Sequence, residues 1–197
     1  MRFELKRPPS GRFFSAARPV SLARRAWLRL ALACCIAAGA SGWPLAATAG
    51  GLKMGNPAPP LVLHTLDGQA ISTDSLRGKV VILTFWATWC APCREELPLL
   101  SAYAAQHAGQ GLEVLGFNLD DPADLPAVRK IAASLSFPVG LLGSAWAGEY
   151  GRIWRLPVSF TIDRSGLLID NGWDDDDPTW TEARLQRIVT PLLQPSP

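Results

Sequence analysis

Phe85 to Pro98 read "FWATWCAPCREELP", and this stretch decides the fold. Upstream of it, "KVVILTFWA" is a nearly continuous apolar run rich in β-branched and aromatic residues, as a central strand covered on both faces requires. From Cys90 onward the pattern turns helical, with Leu97, Leu100, Tyr103, Ala104 and His107 at three- and four-residue spacing until Gly109 and Gly111 stop it. Pro98 lies within that helix and predicts a kink. Two thiols therefore sit where a buried strand hands over to a helix. Four explanations compete for them: core packing, a structural bridge, metal ligation and redox chemistry.

Physical chemistry separates these readings. A structural disulfide usually closes a longer loop and stabilises through that closure. A zinc site wants four ligands, and beyond residue 49 the chain holds only Cys90, Cys93, His64 and His107 as cysteine or histidine. Copper handling stays open as a thiol-based binding or metallochaperone alternative. A redox pair uses the position directly. A cysteine at a helix start meets unsatisfied backbone donors and the positive end of the helix dipole, which favour a thiolate. A second cysteine one turn later lies close enough to form an intramolecular bridge. Cys90 is then the attacking thiol and Cys93 the resolving one, without any cofactor. Pro92 between them stiffens the turn, and a resolving thiol so near argues against a peroxidase-type enzyme.

The rest of the chain sets the context. The 197 residues suit one domain of ordinary size. Residues 1–49 carry eight basic residues and one acid, Glu4, so the remainder, with eleven basic and sixteen acidic residues, is negative. The folded part gives no electrostatic case for nucleic-acid binding. The N-terminal segment reads as an export signal over 1–49: a basic region to Arg29, an apolar stretch, and a small-x-small pattern at Ala47-Thr48-Ala49. Arg24-Arg25 resembles a twin-arginine export motif, and an uncleaved anchor or a lipidated Cys34 are the competing readings. Export places the cysteine pair in the periplasm, where disulfides persist.

Residues 50–60 read as a linker or leading strand, and 61–197 as the domain itself. "LVLHTLDGQAIST" suggests a hairpin around Asp67-Gly68, and Asp74 to Gly78 a single helical turn. "LEVLGFNLD" reads as a second buried strand. Asp121-Pro122 opens a helix to about Leu135, with a re-entry at Pro126. A short strand at "FPVGLLG", a short helix at "SAWAGEYG" and a hairpin around Arg164-Ser165-Gly166 follow. A last helix is expected with Asp177 as its cap and Pro178 in its first position. This order predicts an α/β fold with a central mixed sheet flanked by helices and an N-terminal β-hairpin extension. Asp174 to Asp177 lack the spacing of a calcium loop and read as solvated; His64 and His107 receive no role.

"FWATWCAPC" resembles the active-site motif of the thioredoxin superfamily, and "WCAPCREELP" is similar to its exported TlpA/ResA-like branch. The resemblance spans roughly Pro57 to Leu193. It implies a thioredoxin-like fold and a thiol-disulfide oxidoreductase that reduces disulfides of specific exported partners, such as apocytochrome c during cytochrome c maturation. It also implies a membrane electron donor and a monomer, while a disulfide-forming oxidant stays open as the opposite direction. "RLPVSFTIDRSG" resembles the segment with the superfamily's cis-proline, which implies a cis Leu156-Pro157 bond opposite the cysteines; a trans proline opening an edge strand is the alternative. Trp89, Ala91, Pro92 and Leu156 are then the substrate-contacting positions, with Trp89 a half-exposed platform and Trp86 core. Thr84 stands where cytoplasmic thioredoxins carry a buried Asp, and Glu96 matches a helix Glu proposed in the branch as proton acceptor for the resolving cysteine. A plain dipole-stabilising acid is the competing reading of Glu96. Trp154 and Arg155 stand where the branch often has Gly, adding bulk and charge near the groove.

Overall fold

The computed structural model describes residues 52–194. The export-signal reading of 1–49, with Arg24-Arg25 and Cys34, lies outside the described residues. The centre is Val80–Trp86, in which every residue is buried. In chain order the elements are β1 (Val62–His64), β2 (Ala70–Ser72), β3 (Val80–Trp86), α1 (Ala91–His107), β4 (Leu112–Asn118), α2 (Leu125–Ala132) and β5 (Val139–Leu141). They continue with β6 (Val158–Ile162), β7 (Leu168–Asn171), α3 (Glu182–Ile188) and α4 (Thr190–Leu193). Five strands form one sheet in the order β5-β4-β3-β6-β7. β3 runs parallel to β4 and antiparallel to β6, so the sheet is mixed. β1 and β2 form a separate antiparallel hairpin. Among the described residues no helix is long and apolar enough to cross a membrane.

Alternation along β3 divides the core in two, because successive side chains of a strand point to opposite faces. Val80, Ile82 and Trp86 join Leu97 and Leu100 of α1, Val128 of α2, Leu185 of α3 and Leu193 of α4. Val81, Leu83 and Phe85 join Phe117, Phe160, Leu63, Tyr150 and Ile153 on the other side. The α-helices thus crowd one face, and the hairpin with its neighbouring 3-10 turns closes the other. The hairpin can approach β5 because residue 140 is glycine: a Cβ there would collide with the His64 carbonyl. Leu66 N–H donates to the Val139 carbonyl at 2.9 Å and ties the hairpin to the sheet edge.

Several local expectations change. At Asp67-Gly68 only Gly68 has positive φ. The Thr65 N–H donates to Gln69 at 2.9 Å, making a three-residue loop in place of a two-residue turn. The helix from Asp121 splits into a 3-10 turn at Pro122–Asp124 and α2, with a proline in the first turn of each, where a missing N–H does least harm. Residues 144–151 form only a turn at Gly148–Tyr150, closed by a Trp146–Arg152 bridge. Tyr150 is buried and its hydroxyl donates to the Pro59 carbonyl at 3.0 Å.

The C-terminal helix begins four residues later than the position of Pro178 implies. Its cap is Thr181, which accepts from Arg184 N–H at 3.2 Å, while Asp177 accepts from Thr179 N–H. The cause is tertiary: Trp180 N–H donates to the Glu96 carboxylate at 2.7 Å, and the Trp180 side chain is buried in the helix-side core. That contact and the burial of the Trp180 ring fix residues 178–180 ahead of the helix, which starts at Glu182.

Candidate active site

β3 delivers the chain to Ala87, whose carbonyl accepts from Cys90 N–H at 3.1 Å. Cys90 adopts an extended conformation, φ −82° and ψ 102°, and caps α1: its Sγ accepts from the Cys93 N–H at 3.2 Å. The first-turn backbone donors of a helix are the ones without intrahelical partners, so a sulfur here receives a hydrogen bond and the positive end of the dipole together. Cys90 and Cys93 are joined as a disulfide, Cys90 only 5 % exposed and Cys93 fully buried. Ala91 and Pro92 between them are exposed. Trp89 is 69 % exposed, more open than a half-buried platform, while Trp86 is wholly buried.

The loop ahead of Cys90 is held by a residue that sequence reasoning missed. Asp120, buried just past the end of β4, accepts from the backbone N–H and from the hydroxyl of Thr88, both at 2.7 Å. Asn118 in turn donates to Asp120 at 2.7 Å. An acid in a strand-ending "NLD" carries no local sign of this role; the parallel β3–β4 register, which pairs Trp86 with Asn118, creates it.

Glu96 is 2 % exposed, one turn beyond Cys93 on the sheet-facing side of α1. One carboxylate oxygen takes the Trp180 N–H; the other, Oε1, has no hydrogen-bond partner among the described residues. Burial pushes its pKa up to about 7. The Trp180 N–H and the Arg184 charge pull the other way and only partly offset that desolvation. Glu95, its neighbour, is exposed. Arg184 is itself buried, pairing with Asp170 at 2.9 Å and with Asp175, and its guanidinium packs over the Trp180 ring at 5.0 Å. Trp180, Arg184 and Asp170 are thus a supporting shell for Glu96, built from a segment far away in sequence.

Thr84 is buried on the same face of β3 as Ile82 and Trp86, in register with Ser159 of β6. Neither hydroxyl has a partner among the described residues. The Leu156-Pro157 bond is cis. The pairing of Phe85 with Val158 sets Pro157 level with Trp86, at the end of β3 from which the cysteine loop departs. β6 is an interior strand, so Pro157 does not open an edge strand. Leu156 packs between the two cores. His64 lies in β1, and His107 is the last residue of α1, at the opposite end from the cysteines.

The comparisons agree with this geometry. The AhpC/TSA family matches residues 54–170. The chain is 32% identical over 141 residues to the thiol-disulfide oxidoreductase ResA of Bacillus thuringiensis, covering 70% of this chain and 80% of that one. It is 32% identical over 139 residues to the thioredoxin-like protein YneN of Bacillus subtilis, covering 67% and 81%. Among solved structures, a thiol:disulfide interchange protein of the thioredoxin family from Chlorobium tepidum superposes with a TM-score of 0.58 at 30% identity, over 71% of this chain and 97% of that one. With a helix-capping cysteine bridged to a second one turn on, the chain belongs to the AhpC/TSA family and is a thiol-disulfide oxidoreductase with a thioredoxin-like fold.

Proposed function

We propose that this oxidoreductase reduces disulfides in exported protein partners, such as the apocytochrome c thiols that must be free for haem attachment, and that residues 1–49 export it to the periplasm. The observation that supports a thiol-exchange site is Glu96, a buried carboxylate one helical turn after the buried resolving cysteine, with one oxygen unpartnered among the described residues; the direction follows the likeness to the reducing branch. In the reduced protein the Cys90 thiolate attacks one sulfur of the substrate disulfide, forming a mixed disulfide and releasing one substrate thiolate. The Glu96 carboxylate takes the proton of Cys93, whose thiolate then attacks Cys90 Sγ. The second substrate sulfur leaves as a thiolate and is protonated from solvent or from Glu96. The substrate gains two electrons, the pair becomes the disulfide seen here, and a membrane dithiol donor restores it. Trp89, Ala91, Pro92 and the backbone of Leu156 ahead of cis-Pro157 form the surface against which an extended substrate chain lies.

A base with pKa about 7 is half ionised at neutral pH, suited to accepting a proton there. The test is the reduction potential of the Cys90–Cys93 couple, measured against glutathione and thioredoxin standards with Glu96→Gln in parallel. A reductase sits toward the thioredoxin end, roughly −270 mV; a value near roughly −120 mV overturns the direction. With an oxidised peptide as substrate, Cys93→Ser is expected to accumulate the mixed disulfide on Cys90. Glu96→Gln is expected to slow its resolution by about a hundredfold and to flatten the pH dependence near 7.

A further inference from the structure

Trp154 is 69 % exposed, yet it is not loose. Its ring stacks on Trp173, centroids 5.5 Å apart and planes 13° apart. The Arg155 guanidinium lies over both rings, at 5.4 and 5.8 Å. Arg155 is tied to the carbonyls of Gly172 and Asp175, and the Trp173 Nε1–H donates to the Tyr150 carbonyl at 3.0 Å. Single exposed aromatics on a surface need no explanation. A stacked pair pinned by a guanidinium, two residues ahead of the cis Leu156-Pro157 bond, is a prepared surface. Core packing accounts for Trp173 and leaves the outward ring of Trp154 unexplained.

Charge decides what such a surface takes. The loop that follows Trp173 carries the exposed carboxylates of Asp174 and Asp176, and Asp176 enters no ion pair or hydrogen bond among the described residues. Arg155 turns its donors to carbonyls on its own protein. The chain beyond residue 49 carries sixteen acids against eleven bases. Arg155 keeps its positive charge over the rings, but the acidic run Asp174 to Asp177 that follows Trp173 outnumbers it, so the exposed part of Trp154 beside that run attracts a further cation and repels an anion. We propose that Trp154, with Asp174 and Asp176, is a docking surface for a Lys or Arg side chain of the polypeptide substrate near its reacting cysteine, so that the enzyme prefers disulfides in cationic sequence.

This inference rests on the reading that the substrates are polypeptide disulfides, and the experiment separates the two. Two synthetic peptides with one internal disulfide, identical except for Lys or Gln on both sides of it, are offered to the reduced full chain. The ratio of their kcat/KM values is measured at low and high salt. The expected ratio is about fivefold in favour of Lys at low salt, declining as salt rises. In Trp154→Leu the ratio falls to about one, and Asp176→Asn lowers it part of the way. The reduction potential of the cysteine pair stays at its parent value in both variants. A parent ratio near one, an undiminished ratio in Trp154→Leu, or a loss that comes only with a shifted potential overturns the docking surface and leaves the reductase reading standing. If neither peptide is reduced, the reductase reading falls and takes this inference with it.

Discussion

The two faces of the central sheet are built from alternate residues of the same strands and do different work. The face under the hairpin is plain packing: Phe85 stacks on Phe117 at 5.0 Å and meets Phe160 edge-on at 5.8 Å, and Phe160 touches Tyr150 and Trp173. The face under α1 is apolar too, but into it are set the bridged cysteines, the Glu96 carboxylate and the hydroxyls of Thr84, Ser159 and Thr161, several with buried polar atoms that lack partners among the described residues. Unpaired buried polar groups lower stability by about 1–3 kcal/mol each. Both faces are packed cores, and only the helix side also holds the bridged cysteines and the buried carboxylate.

That division can be broken most severely on the hairpin side. Phe160→Ala removes a fully buried ring that contacts three aromatic neighbours and is expected to lower the unfolding free energy by about 3–5 kcal/mol in urea titration. The cysteine potential of the folded variant should not move. A shifted potential would show that the two faces are coupled.

On the helix side the effect should depend on pH. The Glu96 pKa rises from 4.5 to about 7 on folding. Between those values the folded chain keeps a proton that the unfolded chain has lost, so stability falls as pH rises and the full penalty is present above 7. At roughly 1.4 kcal/mol per pH unit over that interval, the penalty is about 3 kcal/mol. Glu96→Gln keeps an acceptor for Trp180 N–H and removes the charge. Its stability relative to the parent should therefore improve by about 3 kcal/mol between pH 4 and pH 8, measured on the oxidised protein. A difference that does not change with pH would place the charge of Glu96 elsewhere than in this buried site.

The smallest effect is expected at Thr84. Its hydroxyl is buried without a partner among the described residues, so Thr84→Val should leave stability unchanged or raise it by about 1 kcal/mol. A loss of more than about 1 kcal/mol in urea titration would mean that the hydroxyl is satisfied in solution and belongs to the polar machinery of that face.

How far these features could be read in advance depends on where their cause lies. The β3 strand, the CxxC turn and α1 were legible because periodicity, apolar runs and a cysteine at a helix start are local signals. The cis Leu156-Pro157 bond entered through a family resemblance, since the dipeptide alone carries no mark of its isomer. Asp177 as a cap was misread because Thr181 is an equally good cap and a distant carboxylate chose between them. Asp120 and Arg184 were invisible as partners of the site, since an acid in a loop and a base in an amphipathic helix are ordinary residues until folding brings them together.

By itself, then, the sequence determined the strand-to-helix junction, the pairing of Cys90 with Cys93 and the mixed α/β order of elements, because each follows from interactions within a few residues. Only the tertiary structure decided the environment of Glu96. The Trp180 N–H on one oxygen and the opposing Arg184 charge come from a segment more than 80 residues away. Acid strength follows from solvation and neighbouring charge, and neither exists until the chain has closed over the site.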